Sequence, residues 1–312
     1  MTEATGFAAN PIPAQPSAES IRQLAKAARM RRGLQRSQPH GWDLRISRAI
    51  FASVAATVRA PKGGSVRRVR GVRGVTGPGA DPANGILLWI HGGSFVTGGP
   101  RLEQLLAAGY ANTARIPACL PRYRRPPEHP FPAASDDVLA AYRDLLDQGY
   151  SADTIRIGGL SAGGALTVGL LTDLRHTGLP LPAAVLLGSP VLQLSTELAH
   201  ARDARHPDPF CAPDYIERTN RVFAGATPLS DPRLDHLNAD TTGWPPVLIQ
   251  VGGTECLLDE AQALGARIRA QGGRCEVQVW PGQVHAFTII GGRTPLPEAV
   301  AAIDYGATFL AG

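Results

Sequence analysis

The sequence predicts an α/β fold in which a mostly parallel central sheet is flanked by helices. One observation is a series of short runs, apolar almost throughout, as expected of parallel strands buried on both faces. These runs span residues 86–90, 154–158, 183–188, 246–252 and 275–280. The other observation is helical spacing between or after the runs, near residues 134–147, 162–176, 258–271 and 297–310. This alternation places helices on both faces of one sheet.

Two stretches do not follow the alternation and are candidates for a helical cap. Residues 1–45 include a segment with helical spacing, and residues 191–243 are polar and broken by prolines. An insertion at the ends of parallel strands lies where ligands bind in such sheets. We therefore expect a cap of residues 1–45 and 191–243 over a core of residues 46–190 and 244–312. Within that core, valines and arginines near residues 54–76 predict an antiparallel edge.

Composition is typical of a globular protein. The 312 residues are 44% hydrophobic, enough for a sizeable core. No apolar run approaches the roughly 18 residues that a membrane helix needs, so stable membrane insertion is not expected. The first residues lack the basic and apolar parts of a secretory signal, which favours a cytoplasmic location. The four cysteines have no C-x-x-C spacing, which predicts reduced thiols and neither a disulfide framework nor a zinc site.

Positive charge is concentrated in two arginine-rich stretches. The formal net charge is +5, and residues 21–36 and 65–74 together hold nine of the 29 arginines. Nucleic acid or an anionic membrane could use either stretch. No aromatic residues interleave with the arginines to stack on bases. We therefore expect two solvated faces and no nucleic-acid partner.

The glycine-rich stretch IGGLSAGGAL, residues 157–166, carries the first chemical motif. Gly159, Ser161 and Gly163 form G-x-S-x-G between a predicted strand and a predicted helix, the context of a nucleophile elbow. The sharp turn exposes the serine hydroxyl and brings the helix N-terminus close to a developing oxyanion. Glycine-rich turns also cradle phosphates. The lysine of a P-loop and a complete G-x-G-x-x-G are missing here.

A second motif, LLWIHGGSF at residues 87–95, puts a histidine and two glycines at the end of another predicted strand. With YRRPPEHPFPAASDD, LLDEAQ and VHAF further along, the chain resembles the hormone-sensitive-lipase family of α/β-hydrolase esterases over roughly residues 80–310. The resemblance implies the α/β-hydrolase fold, a helical cap, and hydrolysis of small-molecule esters with short or medium acyl chains. It implies no cofactor and no metal, and it leaves a homodimer open.

The resemblance also assigns roles to residues of this sequence. Ser161 becomes the nucleophile and His285 the general base. The implied oxyanion-hole donors are the backbone N–H groups of Gly92, Gly93 and Ala162, and the expected substrate-pocket residues are Ser94, Phe95 and Leu160.

The triad acid must come from the loop TECLLDEAQ, where the family has Asp-Pro-Leu-x-Asp. Alignment on Leu257 and Asp259 puts Glu255 at the position of the acid, with Cys256 in place of the proline. Asp259 is the alternative acid. It lies about one helical turn further on, where we expect it to cap or brace a helix.

Two further departures from the family pattern affect the expected structure. Ser94 replaces the third glycine of H-G-G-G and puts a hydroxyl beside the oxyanion loop. Pro117 and Pro121 fall where the family has a strand, and prolines remove donors from a ladder. We therefore expect that strand to be shortened or distorted.

The implied function, a serine carboxylesterase, has two alternatives. A lactonase or an amide hydrolase would use the same acyl-transfer machinery. A non-catalytic ligand-binding receptor is the other, because the plant gibberellin receptors resemble this family. Retention of a serine, an acid and a histidine argues against a receptor, and the fold alone would not decide.

Overall fold

The computed structural model describes residues 10–69, 72–291 and 296–312. Within these ranges an eight-stranded sheet has the order β1-β2-β4-β3-β5-β6-β7-β8. The strands are β1 (Ser65–Val69), β2 (Val72–Thr76), β3 (Ile86–Ile90), β4 (Ala118–Leu120), β5 (Ile155–Leu160), β6 (Ala184–Gly188), β7 (Val247–Gly252) and β8 (Cys275–Trp280). The β1–β2 and β2–β4 pairs are antiparallel and all other pairs are parallel. The predicted α/β class, with a mostly parallel sheet, is confirmed.

Helices cover both faces of the sheet. They are α1 (Ala18–Arg36), α2 (Gly41–Thr57), α3 (Pro100–Ala111), α4 (Ala133–Asp147), α5 (Ala162–His176), α6 (Glu197–Arg205), α7 (Pro213–Ala224), α8 (Leu258–Ala270), α9 (Phe287–Gly291) and α10 (Pro297–Ala311). Side chains from α4, α5 and α8 share one buried cluster with Leu88 of β3, whereas those from α3 and α10 share another with Leu87. Adjacent residues of a strand point to opposite faces, so both sides of the sheet are packed.

The antiparallel edge is smaller than the sequence predicts. Residues 54–57 belong to α2, and the edge is limited to β1 and β2. The segment IFASVAAT, residues 50–57, is rich in alanine, the best helix former, and this preference extends the helix to Thr57. Strand β4 is three residues long and lies between Pro117 and Pro121, as the missing N–H donors of the prolines predict.

The expected cap stretches contain helices that contact each other. Arg31 of α1 pairs with Asp203 of α6 at 2.6 Å, and Arg218 of α7 donates to the carbonyl of Gln35 at 2.9 Å. The expected boundary at residue 45 falls inside α2, whose Arg48 donates to the carbonyl of Val96 at 2.9 Å. Helix α2 therefore continues across that boundary and is tied to the core. Across the described ranges, no helix combines the length and hydrophobicity needed to span a membrane.

Candidate active site

Ser161 occupies a sharp turn between β5 and α5. Its backbone, with φ 57° and ψ −119°, lies in a region that non-glycine residues rarely adopt. The surrounding glycines allow the strand and helix to approach. A Cβ atom on Gly159 would lie 2.3 Å from the carbonyl oxygen of Gly163, and one on Gly163 would lie 2.0 Å from that of Ile90. The glycines around Ser161 are therefore required by close backbone contact.

The structure brings Ser161, His285 and Glu255 into one hydrogen-bonded line. His285 Nε2 lies 2.9 Å from Ser161 Oγ, and His285 Nδ1 lies 2.8 Å from Glu255 Oε2. The carboxylate can only accept, so Nδ1 carries the proton and Nε2 is left to accept from the serine hydroxyl. Ser161 is 8% exposed and Glu255 is fully buried, so little water can compete for the hydrogen bonds of this line.

The second carboxylate oxygen of Glu255 is held by the protein. Glu255 Oε1 accepts from Ser189 Oγ at 2.6 Å and from the backbone N–H of Gly252 at 2.5 Å. Ser189 Oγ also accepts from the N–H of Ala286, next to His285, at 3.2 Å. Ser189 thus links the loops of the acid and the histidine. Sequence reasoning missed it, although its position just after a buried strand was a signal.

Asp259, the alternative acid, is engaged elsewhere. Its carboxylate pairs with Arg202 and Arg205 of α6, each at 2.9 Å. It braces α6 against the first turn of α8 and does not contact His285 in the described structure.

The oxyanion loop differs from the expectation at Gly92. The N–H of Gly92 donates to Glu103 Oε1 at 2.7 Å, and Trp89 Nε1 donates to the other oxygen at 2.7 Å. Because the single N–H of Gly92 is occupied, the expectation that it serves the oxyanion hole is corrected. Burial raises the pKa of Glu103 to about 7 despite these two donors. No local pattern in the sequence marked Glu103.

Three neighbouring N–H groups remain available to an oxyanion. In the part of the chain that the structure describes, no backbone acceptor engages the N–H of Gly93, Ser94 or Ala162. Gly93 (φ 118°) and Ser94 (φ 52°) both have positive φ, which turns the loop sharply. Ser94 can supply an N–H as the missing glycine would, because the donor belongs to the backbone.

Support for this loop comes from a buried histidine and tyrosine. His91 Nδ1 donates to the carbonyl of Gly92 at 2.8 Å, and Tyr123 Oη donates to the carbonyl of His91 at 2.9 Å. The two rings stack with centroids 4.2 Å apart. Burial lowers the pKa of His91 to about 4, so its imidazole is neutral and acts as a structural donor.

The three expected pocket residues lie in different environments. Ser94 is half-buried, and Phe95 is 1% exposed and stacks on Phe223 of α7 with centroids 3.9 Å apart. Leu160 instead packs in the core cluster that contains Leu186. It points away from Ser161 because alternate side chains of β5 face opposite sides of the sheet. The expectation that Leu160 lines the pocket is therefore corrected.

Residues of the 191–243 insertion reach His285. The Phe210 ring lies over His285 with centroids 6.2 Å apart and planes 17° apart. Asp208, which is fully buried, accepts from the N–H of Phe210 at 2.7 Å and from that of Cys256 at 2.8 Å. These bonds fix the insertion against the loop of Glu255.

The surroundings of His285 predict a pH dependence. Burial lowers the pKa of His285. The hydrogen bond and charge of Glu255, together with the charge of Asp208, raise this pKa by a larger amount, so it lies above the ordinary histidine value of 6.5. A general base must be neutral, so kcat/KM for an uncharged ester should rise with pH through a midpoint above 6.5. Glu255→Gln should lower that midpoint. A pH profile of wild type with its midpoint below the ordinary histidine value would contradict this prediction.

Comparisons with known proteins identify the family of this chain. A family model described as the α/β-hydrolase fold matches residues 87–289. An acetyl-hydrolase of Streptomyces hygroscopicus is 37% identical over 225 residues, covering 72% of this chain and 74% of that protein. The carboxylesterase/phospholipase LipF of Mycobacterium tuberculosis is 34% identical, covering 85% of this chain and 71% of that protein.

Solved structures give the same result. An esterase from the bacterial hormone-sensitive lipase family superposes with a TM-score of 0.83 at 31% identity, covering 93% of this chain and 97% of that one. A hormone-sensitive lipase from a metagenome library superposes with a TM-score of 0.83 at 27% identity, covering 95% and 98% of the two chains. This chain belongs to the hormone-sensitive-lipase family of the α/β-hydrolase superfamily and is a carboxylic ester hydrolase.

Proposed function

We propose that the chain is a serine carboxylesterase that cleaves short- to medium-chain esters through an acyl-enzyme on Ser161. The observation that carries this proposal is the hydrogen-bonded line from Ser161 Oγ through His285 to the buried carboxylate of Glu255. Each group has the neighbour that its role requires.

In the first half-reaction, Ser161 Oγ attacks the ester carbonyl carbon while His285 Nε2 takes the hydroxyl proton. Glu255 stabilises the imidazolium that forms. The tetrahedral intermediate then collapses, the bond to the alcohol oxygen breaks, and His285 gives its proton to the leaving alcohol. An acyl group remains on Ser161.

In the second half-reaction, water takes the place of the alcohol. His285 accepts a proton from this water as its oxygen attacks the acyl carbon, and then returns the proton to Ser161 Oγ as the carboxylic acid leaves. In both halves the negative oxygen is held by the N–H groups of Gly93, Ser94 and Ala162. Losing one such donor typically costs about 100- to 1000-fold in rate.

A series of substrates tests this function. We expect p-nitrophenyl esters from acetate to octanoate to be hydrolysed efficiently, with kcat/KM falling for longer acyl chains. A p-nitroanilide and a γ-lactone should react far more slowly under the same conditions. Faster turnover of the anilide or the lactone would assign the chain to the amide-hydrolase or lactonase alternative, and equally slow release from wild type and Ser161→Ala would favour a receptor.

Ser94→Gly tests how the departure from the family glycine affects selectivity. The substitution keeps the backbone donor, and glycine readily adopts the observed φ of 52°. Acetate turnover should therefore stay within roughly tenfold of wild type. Loss of the side chain should widen tolerance for bulky esters, measured as the ratio of kcat/KM for bulky and acetyl esters. An unchanged ratio would contradict a selective role for the Ser94 side chain.

In this proposal the two cap stretches form one lid. The N-terminal stretch of the lid ends at the turn before α2. Deleting residues 1–37 removes α1, the Arg31–Asp203 ion pair and the hydrogen bond from Ser17 Oγ to Glu298 of α10. We expect a folded core with weakened turnover or an altered preference for acyl-chain length. Arg31→Gln, which removes the ion pair and retains α1, is the matched control and should have a smaller effect. Global unfolding of the truncated protein, seen by circular dichroism, would show that α1 completes the core.

Location and assembly complete the proposal. We expect a cytoplasmic protein, tested by cell fractionation, and recovery outside the cytoplasmic compartment would contradict this expectation. The resemblance leaves a homodimer open, and sedimentation equilibrium decides between a monomer and a dimer.

A further inference from the structure

An arginine-rich cavity of about 300 Å³ lies at the carboxyl end of β4, whose last residue, Leu120, forms part of its wall. Helix α2, strands β1 and β2, the first turn of α3 and the segment after β4 complete the wall. Strands β4, β3 and β5 are parallel, so the cavity lies at the same edge of the sheet as Ser161. Ligands bind at this edge of α/β sheets. The lining arginines are Arg48, Arg68, Arg73, Arg101, Arg122 and Arg125.

Five of the six arginines have no acidic partner among the described residues. Arg48 is the exception, because it forms an ion pair with Glu128 at 2.6 Å. None of the described residues that line the cavity is acidic. Arg73 donates to the side-chain oxygen of Gln104 at 2.9 Å, which is a neutral acceptor. The cavity therefore concentrates positive charge that an external anion would compensate.

Two of the arginines lie opposite each other in one strand pair. Arg68 of β1 is the direct partner of Arg73 of β2, and both residues line the cavity. Like charges directly opposite each other destabilise a sheet. Burial lowers the pKa of Arg73, and the charges of Arg101 and Arg68 lower it further. An anion bound between these guanidinium groups would relieve their repulsion.

The first turn of α3 adds further positive potential to the cavity. Gly99 is the N-cap residue of α3 and Pro100 follows it, and both line the cavity. No side chain caps this end of the helix in the described structure. The N–H groups of a first turn have no partner within the helix, and the helix dipole is positive there. The helix end and the arginines therefore favour the same kind of ligand.

We propose that this cavity binds a diphosphate group, either as inorganic pyrophosphate or as part of a small molecule, at a site separate from Ser161. Arg68 and Arg73 contact the diphosphate from the strands, and Arg122 and Arg125 contact it from the segment after β4. A planar guanidinium group can donate two parallel hydrogen bonds to one phosphate. Four arginines therefore supply enough donors for two linked phosphates.

Volume and charge favour a compact diphosphate over other anions. A cavity of about 300 Å³ is at the lower end of the range for small-molecule sites. A carboxylate carries one negative charge, whereas a phosphate monoester carries up to about two at neutral pH. The phosphates of a nucleic acid carry one charge each and are spread along the strand. A diphosphate therefore brings more negative charge into this volume than a carboxylate or a nucleic acid does.

Isothermal titration calorimetry of the full chain with sodium pyrophosphate tests the proposal. We expect one equivalent to bind, with an affinity that falls as sodium chloride is added. Arg68→Gln with Arg122→Gln should raise the Kd about 100-fold, at about tenfold per arginine. Both side chains are exposed and donate to no group among the described residues, so the fold should persist. Arg67→Gln with Arg143→Gln, at exposed positions outside the cavity, removes the same charge and should leave the Kd close to that of wild type.

A second variant changes the charge of the cavity without removing an arginine. Ala52 is an exposed residue of α2 that lines the cavity. Ala52→Glu puts a carboxylate beside the arginines, so it should raise the melting temperature and weaken the binding of pyrophosphate. Thermal melting verifies that each variant is folded, and calorimetry requires no turnover.

The titrations also separate this ligand from other anions. Binding of adenosine diphosphate that the same variants weaken would support a diphosphate carried on a small molecule. Failure of wild type to bind either diphosphate, or binding that neither cavity variant weakens, would overturn the proposal. Tighter binding of citrate than of pyrophosphate would also overturn it, as would binding of duplex DNA or of anionic vesicles without binding of a diphosphate.

Discussion

Replacing Ser161 with alanine is expected to lower kcat about 10⁶-fold, because no other group can form the acyl-enzyme. The fold should persist, since alanine is no larger than serine and the turn is held by backbone contacts of Gly159 and Gly163. The measurement is single-turnover release of p-nitrophenol with enzyme in excess over ester. Ser151→Ala, at an exposed position outside the site, is the matched control and should match wild type. Residual turnover of Ser161→Ala within a hundredfold of wild type would contradict the assignment.

Replacing Glu255 with glutamine should lower kcat about 10⁴-fold. The amide removes the charge that stabilises the imidazolium, and it no longer fixes the proton on His285 Nδ1. Asp259→Asn is the matched control, because Asp259 pairs with Arg202 and Arg205 and not with the histidine. We expect it to stay within a few-fold of wild type. If Asp259→Asn abolished turnover while Glu255→Gln remained active, the acid would be Asp259.

The core of the site could be predicted because its signals are local. The turn at Ser161 needs small residues at fixed positions beside it, so the close packing of the turn can be inferred directly from its glycines. Alignment on Leu257 and Asp259 put Glu255 at the position of the acid, although Cys256 stands where the family has proline. In each case the chemistry depends on residues that lie together along the chain.

The expectations that the structure corrects, and the residues that the sequence did not reveal, depend on contacts between different elements of the fold. Gly92 looked like an oxyanion donor until the structure showed its N–H bound to Glu103, a residue of α3 with no sequence motif of its own. Ser189 reaches Glu255 across two neighbouring strands, β6 and β7. Leu160 adjoins Ser161 in sequence, yet strand alternation turns it into the opposite layer.

The proposed cap was the hardest part of the chain to predict. Its N-terminal stretch has helical spacing, but composition does not show that α2 continues through residue 45 to Thr57 and is tied to the core by Arg48. The 191–243 insertion is polar in sequence, and its contacts depend on single residues such as Phe210 over His285. Such contacts follow from tertiary packing, which cannot be predicted from the periodicity of apolar residues in the sequence.

Trapping the acyl-enzyme tests the proposed mechanism at its first covalent step. Wild-type protein is mixed with p-nitrophenyl butyrate, quenched in acid within the first turnover, and digested for mass spectrometry. We predict a burst of p-nitrophenol close to one equivalent per active site and a single butyryl group on the peptide that contains Ser161, absent from Ser161→Ala. A butyryl group on any other residue, or the same burst from Ser161→Ala, would contradict the proposed mechanism.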